Sequence, residues 1–371
     1  MKITGLRALT LEPRRNPHQE VPEYMDEPMR QNGLAIISTD EGIEGVVSSQ
    51  AANVRNLARL WHEAREHIEG QDPFDRGKID TVLRRRFNGP WRALGVLDYG
   101  LWDIAGKALN KPIYKLLGAT RDKILAYGST IHHDTDEKFV ETTLAAKSRG
   151  LTAVKLHPYC NFEDDLRLVY KVRKAVGDDF RLMIDCLRYP APYTRQQALR
   201  MGQALDELNF WWFEDPLAKT DLEGYAELTR ECKVVQVRAH DRVERIGEYA
   251  AMIKNRCMDI MAGPGSIGIT ELMKLAGLAE ANNMNMEPHD FGGGTASLHV
   301  GLAINNADFY EQAIPDGCFD TGLYPGVYLE PVRIDPEGYA HGPKSPGLGF
   351  AIDVKEAEKV ASEIWDSRQH A

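Results

Sequence analysis

The sequence predicts an α/β barrel preceded by a smaller α+β module. After about Arg121, short apolar runs alternate with amphipathic stretches, whereas the first 120 residues read as strands followed by helices. Three successive runs of the later part end in an acid: Asp185 in RLMID, Glu214 in FWWFED and Asp241 in VVQVRAHD. Alternating βα units imply a parallel sheet. About eight of them in roughly 190–200 residues suggest a barrel, with an open doubly wound sheet as the alternative.

In the first part, MKITGLRALTL is strand-like, and EPRRNPHQEVPEYMDEPMRQN is a polar, Pro-rich loop. GLAIISTDEGIEGVVSSQ reads as a hairpin around DEG. From Val54 to Leu117 the pattern is helical, and Leu94, Leu97, Leu101, Ile104 and Ala105 share one face. The barrel strands are then ILAYGST, TAVKLH, RLMID, NFWWFED, VVQVRAH, MDIMAG, MNMEPH and DFYEQ, seven of them with a clear following helix. No GxGxxG or P-loop follows the first strand of either half, so a nucleotide fold has no support.

The 371 residues suffice for two domains, and a composition of 43% hydrophobic and 27% charged residues suits a soluble enzyme. A net charge of −10 argues against a nucleic-acid partner. The five cysteines form no CxxC pair, which disfavours a disulfide framework or zinc knuckle. No charged-then-apolar leader and no apolar run of about 18 residues is visible, so a cytoplasmic location with no membrane partner is expected.

Functional groups of a barrel gather at the C-terminal ends of its strands. Asp185, Glu214 and Asp241 would converge there, and three anions share one point when a cation holds them. Oxygen ligands suit a hard ion, most plausibly Mg²⁺. The bland reading makes each acid a helix N-cap; for three on consecutive strands it loses weight. Lys155 and His157 lie two apart and share one face of a strand. A lysine inside a barrel beside a metal is expected to have its pKa lowered, as a base or carboxylate clamp. His289 sits across the barrel from Lys155, where it suits proton delivery to the other face of a substrate. Glu311 ends the eighth strand. His132 and His133 end the first, and at least one of them is expected to face the pocket. His240, beside Asp241, is the competing metal ligand. The Gly292–Gly294 run lets backbone approach a ligand or starts a helix, and Trp211 and Trp212 read as barrel packing.

Together these residues resemble the enolase superfamily, in its mandelate racemase-like branch, over nearly the whole chain. ALGVLDYGLWDIAGKALNKPIYKLLGA is similar to the family's helix and linker into the barrel, and AVKLH to its Lys-x-Lys strand. LMID, WFEDP and AHD match the metal-ligand strands, and GSIGITE the start of the sixth helix. EPHDFGGG matches the segment of the catalytic histidine, FYEQ the eighth-strand Glu and SPGLGF a late turn. The resemblance implies a modified (β/α)7β TIM-like barrel over residues 121–324. It also implies an α+β capping domain over 1–120, completed by about 325–371, whose loop 13–32 closes over substrate. It further implies that Mg²⁺ binds a substrate carboxylate, that a base removes the α-proton and that the metal stabilises the enediolate.

The departures from the family pattern bear on the reaction. His157 replaces the second lysine, Asp241 the commoner Glu, and His240 a Gly. Leu187 stands where many members have Asn. No acid stands near Gly263 or Pro264 to orient His289, and Asp259 comes too early. The expected activity is Mg²⁺-dependent dehydration of a sugar acid, with Lys155 holding the carboxylate, His157 as base and His289 as acid. His132, Tyr159, Arg188 and Glu311 are expected to contact the substrate, with Tyr189 nearby. A racemase, epimerase or lactone cycloisomerase is the second reading, and a non-catalytic acid-binding barrel the third. Homo-oligomers, common in similar proteins, are the expected assembly.

Overall fold

A computed structural model describes residues 1–16, 18, 32–87, 92–187, 191–239, 245–289, 296–316, 318 and 320–369. Two sheets organise them. The first is antiparallel and contains β1 (Ile3–Leu11), β2 (Gly33–Thr39) and β3 (Glu44–Ser49). The second begins with β4 (Lys123–Thr130) and continues through β5 (Ala153–Leu156), β6 (Arg181–Asp185), β7 (Trp212–Glu214), β8 (Gln236–Ala239), β9 (Ile260–Pro264), β10 (Asn285–His289) and β11 (Phe309–Ile314). Two late strands return to the two sheets: β12 (Tyr339–His341) pairs with β4, and β13 (Ala361–Asp366) pairs with β1. The first sheet therefore has the order β13-β1-β2-β3, so the C-terminal segment completes it.

All eight expected barrel strands are present, and successive neighbours from β4 to β10 pair in parallel, with β11 on the other side of β4. A helix follows each strand from β4 to β10, from Asp136–Ser148 to Ala296–Ala303. After β11 only the short Asp320–Leu323 turn is helical, which is the (β/α)7β pattern.

The ring closes between β10 and β11 by a different bond. The Glu287 carboxylate on β10 accepts the N–H groups of Asp308 (3.0 Å) and Phe309 (3.1 Å) at the start of β11. Met286 N–H donates to the Asn306 carbonyl alongside (2.7 Å). Burial lifts the Glu287 carboxyl to about 7. Inside the ring, Tyr127, Ala153, Met183, Trp212, Ile260 and Phe309 form a closed apolar layer, with Tyr127 edge-on to Trp212 and Phe309. Trp212 is thus barrel packing, as its sequence suggests.

The helix Arg92–Ala108 joins the two sheets. Its apolar face is buried at Leu94, Leu97, Leu101, Ile104 and Ala105. A Cβ on Gly95 would lie 2.1 Å from the Ser266 carbonyl oxygen, so only glycine permits the approach. Asp98 accepts the Thr270 N–H (2.9 Å) and hydroxyl (2.5 Å), and the Tyr99 hydroxyl bonds the Gly265 carbonyl. Arg84 Nη2 donates to the Ile267 carbonyl (2.8 Å). This explains the GSIGIT segment: the turn after β9 is fastened to the capping helices at the rim of the barrel. No described helix is long and apolar enough to cross a membrane.

Candidate active site

Strand alternation puts a charged layer directly above the apolar one. Lys155, Asp185, Glu214 and Glu311 each follow an apolar-layer residue of the same strand by two positions: Ala153, Met183, Trp212 and Phe309. Asp185 and Glu214 are register partners, as are Glu214 and Arg238. Lys155 Nζ donates to Asp185 Oδ2 (3.1 Å) and Glu214 Oε2 (3.3 Å) and lies 3.1 Å from Glu311 Oε1. Arg238 Nη1 ion-pairs with Glu214 Oε1, and its Nη2 donates to the Glu287 carbonyl (3.1 Å). The Lys155, Glu214 and Arg238 side chains are 0% exposed and Asp185 1%, so this is a desolvated cluster.

Burial sets the stakes in the cluster, and the partners decide the outcome. Burial alone would raise the Asp185 carboxyl, yet Lys155 and His157 hold it well below the usual carboxylate range. Glu311 behaves alike: burial opposes its charge, but Lys155, His289 and Arg238 pull it far down. The Lys155 ammonium corrects the expectation of a lowered value. Burial works to lower it, but Glu311, Tyr127 and Asp185 together raise it above the ordinary lysine range.

The histidines flank this cluster. His157 Nδ1 lies 2.6 Å from the Thr130 carbonyl and Nε2 lies 3.1 Å from Asp185 Oδ2. His289 Nε2 lies 3.6 Å from Glu311 Oε2. Its register partner on β9 is Pro264, and Asp259, just before the start of β9, instead accepts the Val237 N–H of β8 (2.8 Å). The acid near His289 therefore comes from β11, brought there by closure of the ring, and Glu311 stands between Lys155 and His289.

His132 is brought to the cluster as a neighbour of His157. The two rings are edge-on, 5.8 Å apart, and His132 Nδ1 faces the Pro158 carbonyl (3.2 Å). Burial, aided by His157, pushes it down to about 4. His133 turns to the Thr142 hydroxyl (3.0 Å) and packs on Phe139. Tyr159 is a correction to the substrate contacts expected from sequence. Its hydroxyl is buried and donates to Asp136 Oδ1 (2.8 Å) at the start of the next helix, which keeps it out of the cluster. Arg188, Tyr189, His240, Asp241 and Gly292–Gly294 lie outside the described residues, as do 17 and 19–31 of the expected covering loop.

Sequence reasoning did not single out Arg238 and Glu287. The available signal was a charge inside an otherwise apolar strand run, which must be paired if it points inward.

The N-cap reading fails for two of the acids, because Thr194 and Asp221 cap the helices after β6 and β7. The donor set fits a hard cation. Asp185 and Glu214 are adjacent, buried and oxygen-bearing, and Asp185 Oδ1 is a buried acceptor with no hydrogen-bond donor among the described residues. The described residues alone contain no grouping of three side chains that completes a metal site.

Comparison with known proteins agrees with this architecture. The family description "Enolase C-terminal domain-like" matches residues 138–357, and "Mandelate racemase / muconate lactonizing enzyme, N-terminal domain" matches residues 13–118. Arabinonate dehydratase of Saccharolobus solfataricus is 30% identical over 69% of this chain and 68% of its own length. D-galactarolactone cycloisomerase of Agrobacterium fabrum is 29% identical over 95% and 97%. The crystal structure of D-glucarate dehydratase from Agrobacterium tumefaciens complexed with magnesium superimposes with a TM-score of 0.86 at 27% identity, covering 98% of this chain and 100% of that one. With the family's N-terminal and C-terminal domains both matched, in that order, over the capping sheet and the barrel, the chain is an enzyme of the enolase superfamily, in the mandelate racemase/muconate lactonizing enzyme branch.

Proposed function

We propose that the protein is a Mg²⁺-dependent hydro-lyase that dehydrates a sugar acid to a 2-keto-3-deoxy product. The observation that carries this reading is the unlike pair of histidines across the cluster. His157 is tied to Thr130 and Asp185, and His289 stands on the far side near Glu311. Elimination needs one base and one acid at different carbons, whereas racemisation needs matched groups on both faces of one carbon.

Asp185, Glu214 and Asp241 would hold the cation. When bound, Mg²⁺ supplies positive charge that stabilises the negative charge developing on the substrate carboxylate. Lys155 would pair with that carboxylate through its ammonium. His157 Nε2, the ring nitrogen that faces the cluster, would take the α-proton, and the C–H electron pair would form the C=C bond. His289 would give a proton to the departing β-hydroxyl, which leaves as water. The resulting enol then tautomerises to the 2-keto acid. Glu311 would hold Lys155 and His289 in place. The dehydratases among the relatives support this class of substrate and reaction.

The test is incubation with a library of sugar acids and Mg²⁺, with detection of 2-keto-3-deoxy acids. A reaction that carries solvent deuterium to the α-carbon without loss of water would overturn dehydration. The cycloisomerase relative, which spans most of the chain, supports a second reading. A lactone isomerised without loss of water in the same screen would establish it.

A further inference from the structure

Arg238 has no part in the proton transfers, yet it is buried among the groups that carry them. Its guanidinium ion-pairs with Glu214 Oε1, donates to the Glu287 carbonyl (3.1 Å) and lies over the Trp212 ring, 5.4 Å from the centroid. These contacts fix Glu214 from one side, while Lys155 Nζ meets its other oxygen at 3.3 Å. Arg238 also changes the charge of the cluster. Asp185, Glu214 and Glu311 bring three negative charges, and Lys155 and Arg238 bring two positive ones. Counting the histidines as neutral, the described cluster carries −1 with Arg238 and −2 without it.

A fixed positive charge against a metal-ligand carboxylate weakens the pull of that carboxylate on a dication, and it does so most strongly where water is excluded. The same charge stabilises the carboxylates when no dication is present, since buried like charges otherwise repel. We propose that Arg238 is a positioning residue that tunes the metal site. It holds Glu214 in one orientation, lowers the affinity for the divalent ion, and lets the barrel keep its charged layer intact without that ion. This inference rests on the Mg²⁺ reading given above.

The experiment uses the full chain stripped with a chelator, as native protein and as Arg238→Met, Arg238→Gln and Arg238→Lys. Mg²⁺ is titrated by calorimetry and Mn²⁺ by electron paramagnetic resonance, and unfolding is followed with and without Mg²⁺. The neutral Met and Gln variants are expected to bind Mg²⁺ at least about tenfold more tightly, since a nearby like charge has been removed. Their Tm should fall in chelator and rise further than native on adding Mg²⁺. The Lys variant, which keeps the charge, should bind within about fivefold of native. Affinities of the neutral variants less than tenfold tighter than native, or weaker, would overturn the proposal. Neutral variants that fold only with Mg²⁺ would support it, because the ion then replaces the guanidinium. If they fold under neither condition, the Lys variant decides: binding within fivefold of native supports the proposal, and a larger change overturns it. Native protein that binds neither ion would instead sink the metal reading itself.

Discussion

On the β5–β8 side of the rim, Lys155, His157, Asp185, Glu214 and Arg238 interlock, and the nitrogen–oxygen contacts of Lys155 and His157 to Asp185 and Glu214 fall at 3.1–3.3 Å. On the β9–β11 side the described ion pair is longer. His289 faces Glu311 at 3.6 Å, and β9 contributes a proline at the register position beside it. The first side is organised to hold charge in a desolvated setting. The second presents the proposed proton carrier, His289, beside Glu311. A barrel with such unlike sides is better suited to taking a proton from one carbon and delivering one to a leaving group than to shuttling a proton across a single carbon.

The largest expected effects test that asymmetry directly. His157→Asn should lower both α-proton exchange and water loss by about 10²- to 10⁴-fold, the usual contribution of a general base. His289→Asn should lower water loss by a similar factor while sparing solvent-deuterium exchange at the α-carbon, read by NMR. Equal loss of both in His289→Asn would break the asymmetry. Removal of divalent ions with a chelator should reduce turnover to background, with recovery on adding Mg²⁺. Undiminished turnover in chelator would show that the β5–β8 side handles charge without an ion.

Glu311 joins the two sides, so Glu311→Gln should reduce kcat by about 10- to 100-fold, as loss of an orienting partner does. KM should change little, and an effect confined to KM would mean that Glu311 serves binding alone.

The smallest effect concerns the fastening of β9 to the capping helix. Burial lifts the Asp98 carboxyl from 3.8 to about 6 in the folded protein. The folded state thus holds the proton more tightly than the unfolded chain. Its contribution to stability is present below about pH 4, is lost as pH rises to about 6, and is constant above that. The loss is at most about 3 kcal/mol. Asp98→Asn keeps an acceptor for the Thr270 N–H and removes the titration. The Tm of native relative to variant should therefore fall between pH 4 and 6, and a flat difference would contradict the assignment.

The strands were legible because each is a short apolar run with a helix behind it, and parity alone carries Lys155 and His157 to one face. Asp185 and Glu214 were legible because an acid ending such a run needs a partner. Other features depend on contacts between distant strands. The family resemblance puts the acid that orients His289 on β9, but ring closure supplies Glu311 from β11. Tyr159 sits two residues beyond His157, and its nearness in sequence suggested a substrate contact. The strand ends at Leu156, so alternation no longer governs it, and Asp136 takes its hydroxyl. Arg238 reads as a stray charge until Glu214 is seen beside it.

Glu287 has a consequence for how the molecule comes apart. A ring of strands closed everywhere by backbone ladders has no preferred place to open. Here one joint relies on a removable side chain that grips two main-chain N–H groups, beside the backbone bond from Met286 to Asn306. That joint is where local opening should begin, and the Asp308 and Phe309 amides should exchange with solvent before those inside the β4–β5 or β9–β10 pairs. Glu287→Ala would then weaken the cylinder at this seam and leave the Asp308 and Phe309 N–H groups without that acceptor, which makes proteolysis and pairing with other chains easier there.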